Sequence, residues 1–163
     1  MLVIGLGNRL RGDDGAGPAV ARLLRAEPGI EVHEHGGEAD GLLALWEGAA
    51  GAVIVDAVRT GTSAPGTIMR FDAVSAPLPA ALARPVGHSI GLAEALELGR
   101  VLERLPPAAV VFGIEGQRFG LGEGLSAAVA RAIGPLARIV LAQARALASA
   151  RQRSGGVGTE DHR

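Results

Sequence analysis

Three features of the sequence predict an α/β fold: a three-layer sandwich in which a twisted, mostly parallel, five-stranded sheet lies between helices. The chain opens with an apolar run that ends in a glycine turn and leads into an amphipathic helical pattern. Two later runs, residues 52–55 and 109–114, are apolar throughout, as strands covered on both faces are. Strand-like and helix-like segments also alternate along the chain, which is typical of a parallel sheet covered by helices.

The first half of the chain supplies three strands and two helices. Residues 2–4 form the opening strand, and the stripe of Val20, Leu23 and Leu24 predicts a helix to about residue 25, ended by Pro28 and Gly29. The alternating pattern of residues 30–34 predicts a short, half-buried strand. A second helix is predicted at residues 39–46, before the buried strand at 52–55 that ends in Asp56.

The second half supplies two more strands and two helices. Residues 67–71 form a strand with no helix before it, so it is an antiparallel edge or a hairpin partner. Residues 72–87, rich in proline, are an irregular segment, and residues 87–91 open a helix to about residue 105. After the strand at 109–114 and a glycine-rich loop at 115–124, a long helix follows at 125–151, with a bend expected at Gly134–Pro135. Residues 1–151 are thus predicted to form a single domain, and 152–163 a disordered tail.

Composition excludes several classes of function. A formal net charge of −1 favours neither nucleic acid nor an anionic membrane as a partner. The absence of cysteine excludes disulfides, thiolate zinc sites and a cysteine nucleophile. We see no signal-peptide pattern and no apolar run of membrane-spanning length, so we expect a cytoplasmic protein, and a monomer.

Two glycine-rich patterns in the opening segment do not fit phosphate binding. The dinucleotide pattern would begin at Gly5 and Gly7 but has Leu10 at its third glycine position. A P-loop would place Lys and Ser or Thr where Asp13 and Asp14 stand. Because two carboxylates repel a pyrophosphate, the opening segment suits a cation better.

A third pattern, Gly87-His88-Ser89-Ile90-Gly91, matches the nucleophile elbow of serine hydrolases. That motif requires a buried strand before it and a histidine after the serine. The preceding residues contain Pro85, and the one later histidine is His162 in the tail. A serine hydrolase is therefore disfavoured.

Three side chains form a candidate metal site. Asp14 follows the first strand, Asp56 ends the buried strand at 52–55, and His88 lies at the entrance of a helix. If the two strands are parallel, both carboxylates project from the same edge of the sheet, where a histidine can face them. Two oxygens and one imidazole nitrogen suit a divalent transition metal. The alternatives are that Asp14 caps a helix, that Asp56 starts a loop, and that His88 hydrogen-bonds within the fold.

The opening residues 5–17, GLGNRLRGDDGAG, resemble the N-terminal signature of the hydrogenase maturation proteases. These endopeptidases trim the C-terminus of the large subunit of nickel–iron hydrogenases. The resemblance covers about residues 1–150 and continues, in order, through short motifs at residues 36–37, 53–57, 65–67, 88–92 and 113–115.

The resemblance implies a function and a site. The family's metal-binding triad falls on Asp14, Asp56 and His88, which would be the catalytic and metal-binding residues. It implies an aspartic-type or metal-dependent endopeptidase that acts on a hydrogenase large-subunit precursor after nickel insertion. The triad would recognise nickel carried by the substrate rather than a permanently bound ion, and another divalent metal is expected to be able to substitute.

The sequence allows two alternative roles for each of two further residues near this triad. Many relatives carry Asp before the double glycine where this chain has His35, so His35 is either an additional ligand or a residue that ends a strand. Asp13 is either a spare base or a cap. The alternative function is a nickel-dependent binding module or chaperone for a hydrogenase large subunit that performs no cleavage.

Overall fold

The computed structural model describes residues 1–80, 91–122 and 124–155. It contains five strands, four α-helices and one 3-10 turn. In chain order these are β1 (Leu2–Leu6), the 3-10 turn (Gly12–Gly15), α1 (Ala16–Leu24), β2 (Glu31–His35), α2 (Ala39–Trp46), β3 (Ala52–Val58), β4 (Ile68–Asp72), α3 (Leu92–Val101), β5 (Ala109–Glu115) and α4 (Ala127–Gly155).

The strands form one sheet in the order β2-β1-β3-β5-β4. Four of them are parallel, and β4 is an antiparallel edge strand. The predicted fold class, a mostly parallel five-stranded sheet between helices, is confirmed. The two possibilities for β4 are also resolved, since it pairs with β5 rather than forming a hairpin with β3.

The side chains of the sheet alternate between two hydrophobic cores. One core packs Val53 and Val55 of β3 against α1 and α4. The other packs Ile4 of β1 and Ile54 of β3 against α2 and α3. Burial on both faces explains why β1 and the first part of β3 consist of uninterrupted apolar residues.

Several boundaries differ from the sequence prediction. Strand β3 does not end before Asp56 but continues to Val58, because Asp56 still pairs with Gly113 of β5. Helix α4 continues through Pro135 and extends to Gly155, beyond the start predicted for the tail. The residues predicted to open α3, 87–90, lie outside the described part of the chain.

Helix α4 corrects one expectation about membranes. Residues Ala127–Arg153 are long and apolar enough to cross a membrane by length and composition, with a mean hydropathy of 1.3 over the most apolar window. One third of that window is buried inside the fold, where Val129, Leu136 and Val140 pack in the core shared with α1. This core packing accounts for the apolar residues in the buried third of that window.

Helix α1 lies close to the sheet because its second residue, Gly17, has no side chain. A Cβ atom on Gly17 would lie 2.6 Å from the backbone nitrogen of Leu6 and 2.7 Å from the carbonyl oxygen of Val55. No side chain fits at such distances, so this glycine brings the start of α1 onto both β1 and β3. The same contact fixes where the preceding loop, which carries Asp13 and Asp14, meets the sheet.

We expect Gly17→Ala to destabilise the protein by about 1–3 kcal/mol, because the helix must move off the backbone of two strands. Urea denaturation measures the change. Gly124→Ala is the matched control, since a Cβ there would have nothing within 4 Å. Equal stability of the two variants would contradict the close contact described for Gly17.

Candidate active site

The topology creates a crevice at the carboxyl ends of β1 and β3. Strand β1 lies between β2 and β3. The helix that follows β1, α1, packs on one face of the sheet, and the helix that follows β2, α2, packs on the other. The connection after β1 leads toward β2, whereas the connection after β3 leads to the other side of the sheet, toward β4. In open α/β sheets, ligands bind where the chain diverges in this way.

Asp14 lies at this crevice, in the 3-10 turn between β1 and α1. One of its carboxylate oxygens accepts a hydrogen bond of 2.8 Å from the Asn8 N–H. Gly7 has a φ of +122°, and a Cβ on it would lie 3.1 Å from the other oxygen. The alternative that Asp14 caps α1 is wrong, because the residue before that helix is Gly15 and no side chain caps it.

Asp56 stands on the neighbouring strand, on the side of the sheet covered by α2 and α3. Burial, together with the nearby negative charge of Asp14, raises the pKa of Asp56 to about 7, although the Ala57 N–H opposes the shift. Burial also raises the pKa of Asp14, against the Asn8 N–H and the positive charge of Arg11. The structure thus brings Asp14 and Asp56 together, as the sequence predicted, and makes both carboxylates costly to ionise.

Asp13 points away from this pair and is fully buried. Its carboxylate accepts three backbone hydrogen bonds: from Gln117 at 2.7 Å, Arg118 at 2.9 Å and Ser126 at 2.6 Å. Burial alone would raise its pKa, but these hydrogen bonds together lower the pKa of Asp13 below the usual value. A buried carboxylate with these three donors is a poor base. It is not a helix cap either, because the residues before the 3-10 turn and before α1 are Arg11 and Gly15, and no side chain caps them.

His35 ends β2 at the same edge, but both ring nitrogens face protein. Its Nδ1 accepts a 3.0 Å hydrogen bond from the Gly37 N–H, and its Nε2 lies against Gly41 of α2. An imidazole that accepts through Nδ1 carries its proton on Nε2, which leaves no free lone pair for a metal. The geometry favours the interpretation of His35 as a residue that ends a strand.

The third predicted ligand, His88, lies outside the described residues, as does Ser89. In the parts of the chain that the structure describes, no three His, Cys, Asp or Glu side chains lie close enough to hold a metal ion. The two carboxylates are therefore the part of the triad that the structure describes. The catalytic and metal-binding roles of Asp14, Asp56 and His88 stay predictions.

Sequence reasoning missed the structural role of Glu115. This side chain is 2% exposed at the end of β5, and it accepts hydrogen bonds from the backbone of Thr60 and Gly61 and from the Thr60 hydroxyl. These hydrogen bonds hold the loop after β3 against the same edge of the sheet. The sequence contained one signal for this role: a charged residue at the end of an apolar strand, which indicates a buried, hydrogen-bonded carboxylate.

Comparisons with known proteins agree with this architecture. The family model described as hydrogenase maturation protease matches residues 19–143. The solved structure of the hydrogenase maturating endopeptidase HybD from Escherichia coli is 26% identical, with a TM-score of 0.73 over 88% of this chain and 91% of that one. A maturation protease, HycI, from Thermococcus kodakarensis shares the fold at 22% identity, with a TM-score of 0.63 over 85% and 88% of the two chains. No curated protein sequence matches the chain significantly.

The family match is independent of the opening segment that carried the resemblance. The matched range begins at residue 19, inside α1, whereas the glycine-rich segment with Asp14 precedes it. Asp56 lies within the matched range. The resemblance in the first residues and the match over the remainder of the domain therefore support each other.

The pKa of Asp56 predicts how stability changes with pH. A folded-state pKa of about 7, above the ordinary 3.8, means that the folded protein binds more protons than the unfolded chain between these values. Stability should therefore fall as the pH rises through this window and level off above it. Asp56→Asn should be more stable than wild type by about 1–2 kcal/mol at about pH 8 and nearly equal to it at about pH 4, a modest value because the residue keeps some exposure.

Urea denaturation of the two proteins across this pH range measures the difference directly, and the contributions of titrating groups that do not interact with Asp56 cancel, whereas that of Asp14 does not. A variant that is less stable than wild type at the alkaline end would contradict the unfavourable ionisation of Asp56.

Proposed function

Because the chain belongs to the hydrogenase maturation protease family, we propose that it is the endopeptidase that removes the C-terminal extension of a nickel–iron hydrogenase large-subunit precursor after nickel insertion. The observation that carries this proposal is the pair of Asp14 and Asp56, two carboxylates at the crevice where the sheet connections diverge. Such a pair is suited to binding a cation that arrives with the substrate.

The electrostatics of the pair support recognition of a metal ion. Each carboxylate is costly to ionise where it stands, and the charge of Asp14 adds to the cost at Asp56. A divalent cation placed between them would remove this repulsion and favour ionisation of both. With the imidazole of His88, the donor set would be two oxygens and one nitrogen, which suits nickel. Cleavage would then report that the substrate's nickel site is complete.

The chain has no cysteine, so we propose that water attacks the peptide bond. An oxygen of Asp14 or Asp56 that the metal leaves free can accept a proton from that water. The hydroxide would add to the carbonyl carbon, and the proton would pass to the leaving amine as the C–N bond breaks. Nickel held by the triad would position the cleaved segment and polarise its carbonyl group.

An open groove beside this pair offers room for the substrate chain. It has a volume of about 430 Å³ and is lined by the loop after β1 and the end of β2, at Gly7, Asn8, Arg9, Leu10, Glu34, His35 and Gly36. Leu10 is 69% exposed there, and Glu34 is held in place by Arg9 and Arg25. We propose that an extended segment next to the cleaved bond lies in this groove.

Nickel dependence is the first prediction of this function. We expect the purified protein to shorten the matching large-subunit precursor when nickel has been inserted, and to leave the nickel-free precursor intact. Mass spectrometry of the precursor reads out the cleavage and locates the bond. A nickel-dependent complex without cleavage would instead support the alternative, a binding module or chaperone.

The site residues give the second prediction. Asp14→Asn, Asp56→Asn and His88→Gln should each lower processing by at least about 100-fold while the far-ultraviolet circular dichroism stays that of wild type. Ser89→Ala, next to His88, is the matched control and should process the precursor at a nearly normal rate. Normal processing by any of the three site variants would remove that residue from the site. An inactive Ser89→Ala would instead favour a serine hydrolase.

The remaining expectations, a cytoplasmic monomer that binds neither nucleic acid nor membrane, stay predictions. So does the ability of another divalent metal to replace nickel in the substrate.

A further inference from the structure

Two loops at the carboxyl edge of the sheet are joined by hydrogen bonds, three of which go to one buried side chain. The loop after β1 carries Asp13 and Asp14, and the loop after β5 runs from residue 116 to the start of α4. Asp13 is 0% exposed between them and accepts hydrogen bonds from Gln117, Arg118 and Ser126. Charge-assisted hydrogen bonds of this kind are about twice as strong as those between neutral groups.

The backbone of Asp13 strengthens the same junction. Its N–H donates to the carbonyl oxygen of Arg118 at 2.7 Å, so Asp13 and Arg118 bind each other in both directions. The preceding residue, Gly12, has a φ of +59°, and a Cβ on it would lie 2.5 Å from that same carbonyl oxygen. One further backbone hydrogen bond, from Gly122 to Leu10 at 2.9 Å, closes the outer part of the junction.

The two neighbouring aspartates are thus held in opposite directions by one short turn. Asp13 faces inward to the second loop, while Asp14 faces the crevice and accepts the Asn8 N–H. Because the 3-10 turn contains both residues, the anchoring of the first fixes the direction of the second. Ser126 precedes α4, so the anchor reaches the start of the helix that packs against α1.

We propose, on the basis of the proteolytic function proposed above, that Asp13 is a positioning residue. By binding three backbone N–H groups of the loop after β5 and the start of α4, it holds the turn so that the carboxylate of Asp14 stays beside Asp56. Asp13 takes no part in proton transfer and does not bind the substrate metal.

The test combines a spectroscopic readout with kinetics. Asp13→Asn keeps the shape of the side chain but removes its charge, so it cannot satisfy all three donors. The backbone amide resonance of Asn8 in proton–nitrogen correlation spectra reports whether the Asp14 carboxylate is still in place, and Asp14→Ala, which has no acceptor oxygen, shows where that resonance moves without it. We expect Asp13→Asn to shift the Asn8 resonance toward that position. It should also lower kcat/KM for the nickel-loaded precursor by about 10- to 100-fold, mainly through kcat.

Asp72→Asn is the matched control. Asp72 also accepts backbone hydrogen bonds, from Val74 and Ser75, and the Ser75 N–H is the main cause that lowers its pKa. Unlike Asp13, however, Asp72 lies at the end of the antiparallel strand β4. This variant should leave both the Asn8 resonance and kcat/KM unchanged. If the role of Asp13 is purely structural, Asp13→Asn and Asp72→Asn should instead each lose activity only in proportion to their loss of thermal stability. That result would contradict the proposal.

A second variant covers the case in which Asp13→Asn fails to fold. Ser126→Pro removes one of the three backbone donors, and it also removes the hydroxyl that accepts the Val129 N–H at the start of α4. Ser126→Ala, which loses the hydroxyl but keeps the backbone donor, is therefore its control. Ser126→Pro should move the Asn8 resonance in the same direction. An Asn8 resonance that stays at the wild-type position in every folded variant of the pair Asp13→Asn and Ser126→Pro would overturn the proposal. The Asn8 readout requires no cleavage, so a failure of the proposed function in the wild-type protein is distinguished from a failure of the positioning role.

Discussion

The position of β1 between β2 and β3 is the constraint on which the rest of this structure depends. A parallel sheet buried on both faces needs helices on both sides, and the chain meets that need by sending α1 to one face and α2 to the other. The connection after β1 leads toward β2, and the connection after β3 leads to the other side of the sheet, toward β4. Polar side chains at the ends of β1 and β3 therefore lie where the connections diverge.

Within that crevice, local hydrogen bonding decides what each carboxylate can do. Asp13 and Asp14 are adjacent in sequence, yet the pKa of the first is lowered and that of the second is raised. The difference lies in the number of backbone donors: three for Asp13, but one, from Asn8, for Asp14 among the described residues. Asp13 is thus part of the framework, and Asp14 is the residue that we propose binds the metal carried by the substrate.

Much of the fold could be predicted because β1, the first part of β3 and most of β5 are apolar on both faces, as parallel strands covered by helices on both sides are. The pairing of Asp14 with Asp56 was also predictable, since the carboxyl ends of parallel strands share one edge. The inward direction of Asp13 was not, because nothing in two consecutive aspartates indicates which one a short turn will bury. The continuation of β3 past Asp56 was missed for a related reason: a charged residue suggests the end of a strand unless its partner strand, here at Gly113, is known.

The composition of the two edge strands of the sheet affects whether copies of the protein aggregate. An edge strand exposes unpaired backbone groups and is a template for aggregation. Here one edge, β2, carries Glu31, His33 and Glu34, and the other, β4, carries Arg70 and Asp72. A second molecule that added its own strand at either edge would have to bring its backbone alongside these charged side chains. The charges on β2 and β4 therefore oppose the addition of strands from further molecules to the sheet. The apolar strands, which would otherwise promote such aggregation, lie between these two edges.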